Sequence, residues 1–120
     1  MKDSAVRTLT PHFIVDLTLY PTAQGGRKEP ISREGFGCPC KLDQKSDYVA
    51  DCRLFLNGQS ISPGETKRVG IRFSYGEVVP IFRSAAKFYL WDSRIIGEAR
   101  VVPTEEMSDR LSHNFALKSP

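Results

Sequence analysis

The sequence predicts an all-β fold: a six-stranded antiparallel barrel closed on itself, followed by a short C-terminal helix. Three observations predict it. Apolar residues recur with a period of two in six separate runs. Turn dipeptides separate the runs: Gly25-Gly26, Asn57-Gly58, Pro63-Gly64 and Asp92-Ser93. Strict alternation buries one face of each strand and wets the other, as antiparallel sheets do. Left open, such a sheet would expose two edges, and closure into a barrel removes them.

Taken in order, residues 1–11 form an N-terminal arm and residues 12–103 the barrel. From His12 to Tyr20, Phe13, Val15, Leu17 and Leu19 point inward, while His12, Ile14, Asp16, Thr18 and Tyr20 point out. A weaker run, Phe36 to Leu42, places Cys38 and Cys40 inward. The run from Tyr48 to Leu56 turns Tyr48, Ala50, Cys52, Leu54 and Leu56 in, and Val49 and Phe55 out. Val69, Ile71, Phe73 and Tyr75 then alternate with Arg68, Gly70, Arg72 and Ser74. Phe88 and Leu90 face in between outward Lys87, Tyr89 and Trp91. In the last run Ile95, Gly97, Ala99 and Val101 alternate with Arg94, Ile96, Glu98 and Arg100, with Gly97 and Ala99 inward as small residues at a tight seam.

Residues 104–120 read as a helical tail. Thr104 is placed to cap it, Glu105 and Glu106 occupy the first turn, and Met107, Leu111 and Phe115 form one apolar stripe. That stripe needs a surface, either the barrel's own end or a partner's groove.

Composition sets the limits on function. The chain has 120 residues, 40% hydrophobic and 26% charged, which suits one soluble domain with a single core. No run approaches the length of a membrane helix, and residues 1–10 lack the apolar stretch of a signal peptide. Three cysteines, an odd number, are expected as reduced thiols, and the cytoplasm is the expected location. The net charge is only +3, but residues 66–100 hold seven basic side chains against three acidic ones. That segment could seat a polyanion or form a solvated face.

Motifs for catalysis are missing. The segment Gly58 to Thr66 has the wrong spacing for a phosphate loop and carries Glu65 where the lysine belongs. No dinucleotide fingerprint or nucleophile elbow occurs, and His12 and His113 stand near opposite ends of the chain without evident carboxylate partners. Cys38, Cys40 and Cys52 lack the pairing and the fourth ligand of a zinc site, and their parity places them in the core. The expectation is a protein with no catalytic residues, no cofactor and no metal.

Three stretches resemble the third, C-terminal barrel domain of bacterial elongation factor Tu, over His12 to Val102. They are the loop Gly25-Gly26-Arg27-Lys28-Glu29-Pro30 with Gly35-Phe36, the turn Ile61-Ser62-Pro63-Gly64-Glu65, and the hairpin from Lys87-Phe88-Tyr89-Leu90 through Asp92-Ser93 to Arg94-Ile95-Ile96-Gly97-Glu98-Ala99. The resemblance implies a barrel that does no chemistry but packs on neighbouring domains and touches the backbone of a tRNA stem. By position, the implied RNA contacts are Arg27, Lys28, Asp92 and Ser93. The sequence differs in a hairpin one residue shorter and in Pro39 and Cys40. It includes no GTPase domain, so an elongation factor's own activity is not expected.

Two functions follow as expectations. The first is a stand-alone protein-interaction module whose surface comprises Tyr89, Trp91, Arg94, Ile96 and Phe55, aromatics and arginine being enriched at interface centres. Its partner would be a protein, such as part of the translation machinery, or a second copy of the chain forming a homodimer. The alternative is binding of tRNA or another structured RNA by the basic outward face. A membrane partner is not expected.

Overall fold

The computed structural model describes residues 10–103. The tail stripe of Met107, Leu111 and Phe115, together with His113, lies outside the described residues, as does most of the N-terminal arm. The described chain forms six strands: β1 (Phe13–Leu19), β2 (Gly37–Lys41), β3 (Val49–Phe55), β4 (Thr66–Phe73), β5 (Lys87–Trp91) and β6 (Ile95–Val101). They close into a barrel in the order β1-β4-β3-β2-β5-β6, and every neighbouring pair is antiparallel. The first strand is the closing stave, hydrogen-bonded to β4 on one side and β6 on the other.

Period-two patterning produces this directly. Val15, Leu17 and Leu19 on β1, Leu54 on β3, Ile71 on β4 and Phe88 and Leu90 on β5 are each at most 2% exposed. Together with Cys38, Cys40 and Cys52 they fill one continuous core. Interiors packed in this way tolerate little loss of volume.

Each end of the barrel has its own plug. At the end where β1, β3 and β5 begin, a helix α1 (Val79–Ser84) inserts Phe82 among Phe13, Phe73 and Phe88. The ring centroids there are 4.7 to 6.2 Å apart, one pair stacked, two tilted and two edge-on. Sequence patterning did not reveal α1, because six residues are too few to establish a helical period. Pro80 in its first turn was the available signal. At the opposite end, Ile31 and Ile61 from two loops form an isolated antiparallel bridge, both fully buried.

The turns follow their residues. Asn57 and Gly58 both adopt positive φ, 56° and 81°, and Gln59 N–H donates to the Leu56 carbonyl at 3.1 Å. That is the geometry a type I′ turn requires.

Several expected orientations fail, among them that of Ile14, expected outward but only 5% exposed. Tyr48 is 49% exposed rather than inward, because it still belongs to the β2–β3 loop and β3 begins one residue later. Tyr75 is 66% exposed because the chain leaves β4 at Phe73 and turns into a 3-10 segment, Gly76–Val78. Ile96, expected on the outer surface, is a core residue at 1% exposure. The cause is a bulge between Leu90 and Trp91: the pairing shifts from Leu90↔Gly97 to Trp91↔Ile95, so Ile96 has no partner on β5 and turns inward. Gly97 and Ala99 are buried as expected. A Cβ on Gly97 would lie 2.5 Å from the Thr18 carbonyl oxygen, so the β1–β6 seam admits only glycine there.

Candidate functional site

The loop after β1 is built by its glycines. A 3-10 turn, Thr22–Gln24, ends at Gly25, whose φ of 91° favours glycine. Gly26 N–H then donates to the Pro21 carbonyl at 3.1 Å. A Cβ on Gly26 would sit 2.0 Å from the Tyr20 carbonyl oxygen, so the chain can fold back on itself only without a side chain. Thr22 Oγ1 donates to the Arg27 carbonyl at 2.6 Å and fixes the loop's exit.

The β5–β6 hairpin meets this loop. Ser93 takes a φ of 65° at the hairpin tip, and Asp92 N–H donates to the Arg94 carbonyl at 2.7 Å. Arg94 reaches across, donating through Nε to the Gly25 carbonyl and through Nη2 to the Gly26 carbonyl. Between loop and hairpin lies an open cleft of about 250 Å³ lined by Arg27, Lys28, Glu29, Asp92, Arg94 and Ile96. Arg27 and Lys28 thus share one cleft with Asp92, more than sixty positions later in sequence, while Ser93 at the hairpin tip is not among the lining residues. The cleft is mixed in charge. Two of its cations are committed, Arg94 as described and Arg27 to the Glu29 carbonyl at 3.1 Å and to the face of Phe36 at 5.1 Å. Among the described residues, Lys28 has no hydrogen-bond or ion-pair partner.

From the cleft a wall of aromatic and basic residues runs along β5 and β2. Tyr89 and Trp91 are half-buried on its outer surface. Lys41 Nζ lies 5.6 Å from the Trp91 ring centre, and Lys87 Nζ lies 5.6 Å from that of Tyr89. Lys41 also pairs directly with Tyr89 on β5 and with Val49 on β3. Val49 is 42% exposed, so apolar surface continues across three strands into Tyr48. Patterning overlooked Lys41, which falls on the outward parity of the weakest run.

On the far side of Tyr89, Glu98 accepts a hydrogen bond from the Tyr20 hydroxyl at 3.1 Å. Burial, then that hydrogen bond, pushes the Tyr20 phenol up to about 12. The ring therefore stays a neutral donor and anchors the wall.

Two residues expected on this surface are elsewhere. Ile96 contributes to the floor of the cleft from within the core. Phe55, half-buried on the β3–β4 wall, packs with Pro11 over Gly70, where a Cβ would lie 3.3 Å from Phe55 and 2.7 Å from Pro11. It is structurally separate from Tyr89 and Trp91.

The cysteines are core residues. Cys40 Sγ and Cys52 Sγ are 3.2 Å apart, and Cys38 pairs with Cys52 across β2–β3. Burial pushes the Cys38 thiol up to about 12, and the Cys52 hydrogen bond together with burial raises Cys40. Thiols held protonated in this way are poor nucleophiles and poor metal ligands. Among the described residues no group of His, Cys, Asp or Glu is arranged to hold a metal ion, and no helix is long and apolar enough to cross a membrane.

These features define the class of protein: a closed six-stranded antiparallel barrel with a mixed-charge cleft at one end and an aromatic–lysine wall beside it. Comparison of the sequence with models of known protein families and with curated proteins finds no match.

Proposed function

We propose that the protein is a non-catalytic module that binds another protein through the β2–β5 wall and the adjoining cleft, with Trp91 and Tyr89 at the centre. The observation that supports this reading is the lysine-covered aromatic pair. Trp91 under Lys41 and Tyr89 under Lys87 are adaptable, half-buried anchors continuous with exposed Val49. Large aromatics flanked by cations and bounded by charged residues match the anatomy of protein interface centres.

Structured RNA is served less well by the same arrangement. It favours ring faces free for bases and cations free for phosphates. Here lysines lie over both rings, and Glu29 and Asp92 set two carboxylates beside the three cations of the cleft. The motif order shared with the elongation factor barrel directs the search for a partner to the translation machinery.

The test is affinity capture from nuclease-treated lysate with the wild-type protein, with a Tyr89→Ala/Trp91→Ala double variant and with Phe55→Ala as a control. A protein retained by wild type and Phe55→Ala but lost from the double variant supports the reading. Capture that disappears on nuclease treatment, or that the double variant retains, overturns it. Sedimentation of the wild type alone determines whether that partner is a second copy.

A further inference from the structure

At the end of the barrel remote from the loop–hairpin cleft, Arg53 and Arg72 stand directly opposite each other on β3 and β4. Like charges at facing positions of an antiparallel pair are destabilising, so some return is expected for keeping them there. No ion pair offsets them: among the described residues no carboxylate lies within 4.0 Å of either guanidinium. Asp51 and Glu77, the nearest acids in sequence, remain apart from both. Each arginine makes one hydrogen bond to a main-chain carbonyl, Arg53 Nη1 to Gly35 at 3.4 Å and Arg72 Nη1 to Thr10 at 2.8 Å, leaving the other guanidinium N–H groups available.

The two arginines line an open cleft of about 350 Å³ together with His12, Phe73, Ser74 and Gly76. None of its lining residues is acidic. A third guanidinium, Arg83, is beside it, donating through Nη2 to the His12 carbonyl at 2.7 Å and lying 5.4 Å from the Phe13 ring centre. The His12 ring is oriented by the fold: Phe73 N–H donates to Nδ1 at 3.0 Å, so in the neutral ring Nε2 carries the proton. Burial, then the charges of Arg72 and Arg83, lower its pKa, so it enters as a neutral donor. Two guanidinium groups, the His12 imidazole and Ser74 line the cleft with no carboxylate among its lining residues, and Arg83 stands beside it.

We propose that this cleft binds a phosphomonoester group, with Arg53 and Arg72 as paired forks on its oxygens and His12 and Ser74 as neutral donors. Planar guanidinium forks match phosphate oxygens two at a time. A dianion balances the cluster better than a single carboxylate does, and two facing forks at one end of the barrel suit a terminal phosphate better than a continuous phosphodiester track. The site is distinct from the protein-binding wall, whose centre at Trp91 is the last residue of β5, at the other end of the barrel.

Thermal unfolding and amide NMR of the whole chain test it with inorganic phosphate as the probe, against potassium chloride at matched ionic strength, acetate, and a single-stranded oligonucleotide lacking terminal phosphates. Phosphate is expected to raise Tm by at least about 3 °C over chloride and to shift the Ser74 and Gly76 amides. Arg53→Gln and Arg72→Gln, made separately, are expected to unfold no earlier than wild type without phosphate, since each relieves the repulsion, and to lose the phosphate response. No phosphate effect beyond that of chloride, an equal effect of acetate, a response to the oligonucleotide but not to phosphate, or a full response in both variants would each overturn the assignment.

Discussion

Arg94 donates through Nη2 to the Gly26 carbonyl, 3.2 Å away, and through Nε to the neighbouring Gly25 carbonyl, bridging the last hairpin to a loop nearly seventy residues earlier. A forked cation on two adjacent carbonyls gives the cleft a fixed width. Arg94→Ala is expected to leave the barrel folded, at a cost of about 1–2 kcal/mol. The loop should loosen, and hydrogen exchange at Gly25 and Gly26, whose amides are bonded to Thr22 and Pro21, reads this directly. Unchanged protection there would mean that the loop holds its shape without Arg94.

The same loop contains two glycines with different reasons for being glycine. At Gly25 a Cβ would meet nothing within 4 Å, and only the positive φ is at issue, so Gly25→Ala should cost about 1–2 kcal/mol. At Gly26 the Tyr20 carbonyl stands in the way of any side chain. Gly26→Ala should cost clearly more, because backbone rather than a flexible side chain would have to move. Urea unfolding of the two variants makes the comparison, and equal losses would contradict the close approach.

Ile96 and Trp91 are five residues apart on one hairpin and should respond in opposite ways. Ile96→Ala, like Phe88→Ala, should destabilise by about 2–5 kcal/mol, since both side chains are buried. Tyr89→Ala and Trp91→Ala should cost the fold far less while weakening partner binding by about 2 kcal/mol or more. Denaturation and binding measured on the same four variants check both halves.

His12 makes stability depend on pH. Its folded pKa lies below the ordinary 6.5, through burial and then through Arg72 and Arg83. The unfolded chain therefore takes up this proton first as pH falls. Stability from His12 is present in full above about pH 6.5 and declines as pH drops through the folded-state value. His12→Asn, whose side-chain oxygen can still accept from Phe73 N–H, should flatten that decline. The slope of unfolding free energy between pH 7 and pH 5 reads it, and identical slopes would remove His12 as the cause. His113 is common to both proteins and cancels.

The barrel was legible because alternation is a local signal: Phe13 to Leu19 and Val49 to Phe55 declare their inner faces without knowledge of their neighbours. Features that depend on how strands meet were not. The bulge that turns Ile96 inward is a property of the β5–β6 pairing, and the facing of Arg53 and Arg72 is a property of the β3–β4 register. Neither leaves a mark on a single strand. Tyr48 and Tyr75 continue the alternation past the strand ends, where parity has no meaning. Of the candidate site, Arg27, Lys28 and Asp92 were grouped only by resemblance, and parity placed Tyr89 and Trp91 outward. Lys41, which joins the wall together, became visible only when β2 was seen beside β5.

Trp91 is the single tryptophan of the chain and lies at the centre of the proposed protein-binding wall, so its emission reports on the central claim without a label. Titration should compare the nuclease-treated captured partner with bulk tRNA at low salt. A shift of Trp91 emission that saturates with the protein partner, is absent with tRNA and disappears in Lys41→Ala with Tyr89→Ala is the predicted result. A salt-sensitive shift produced by tRNA alone, with none from the protein partner, would contradict the account.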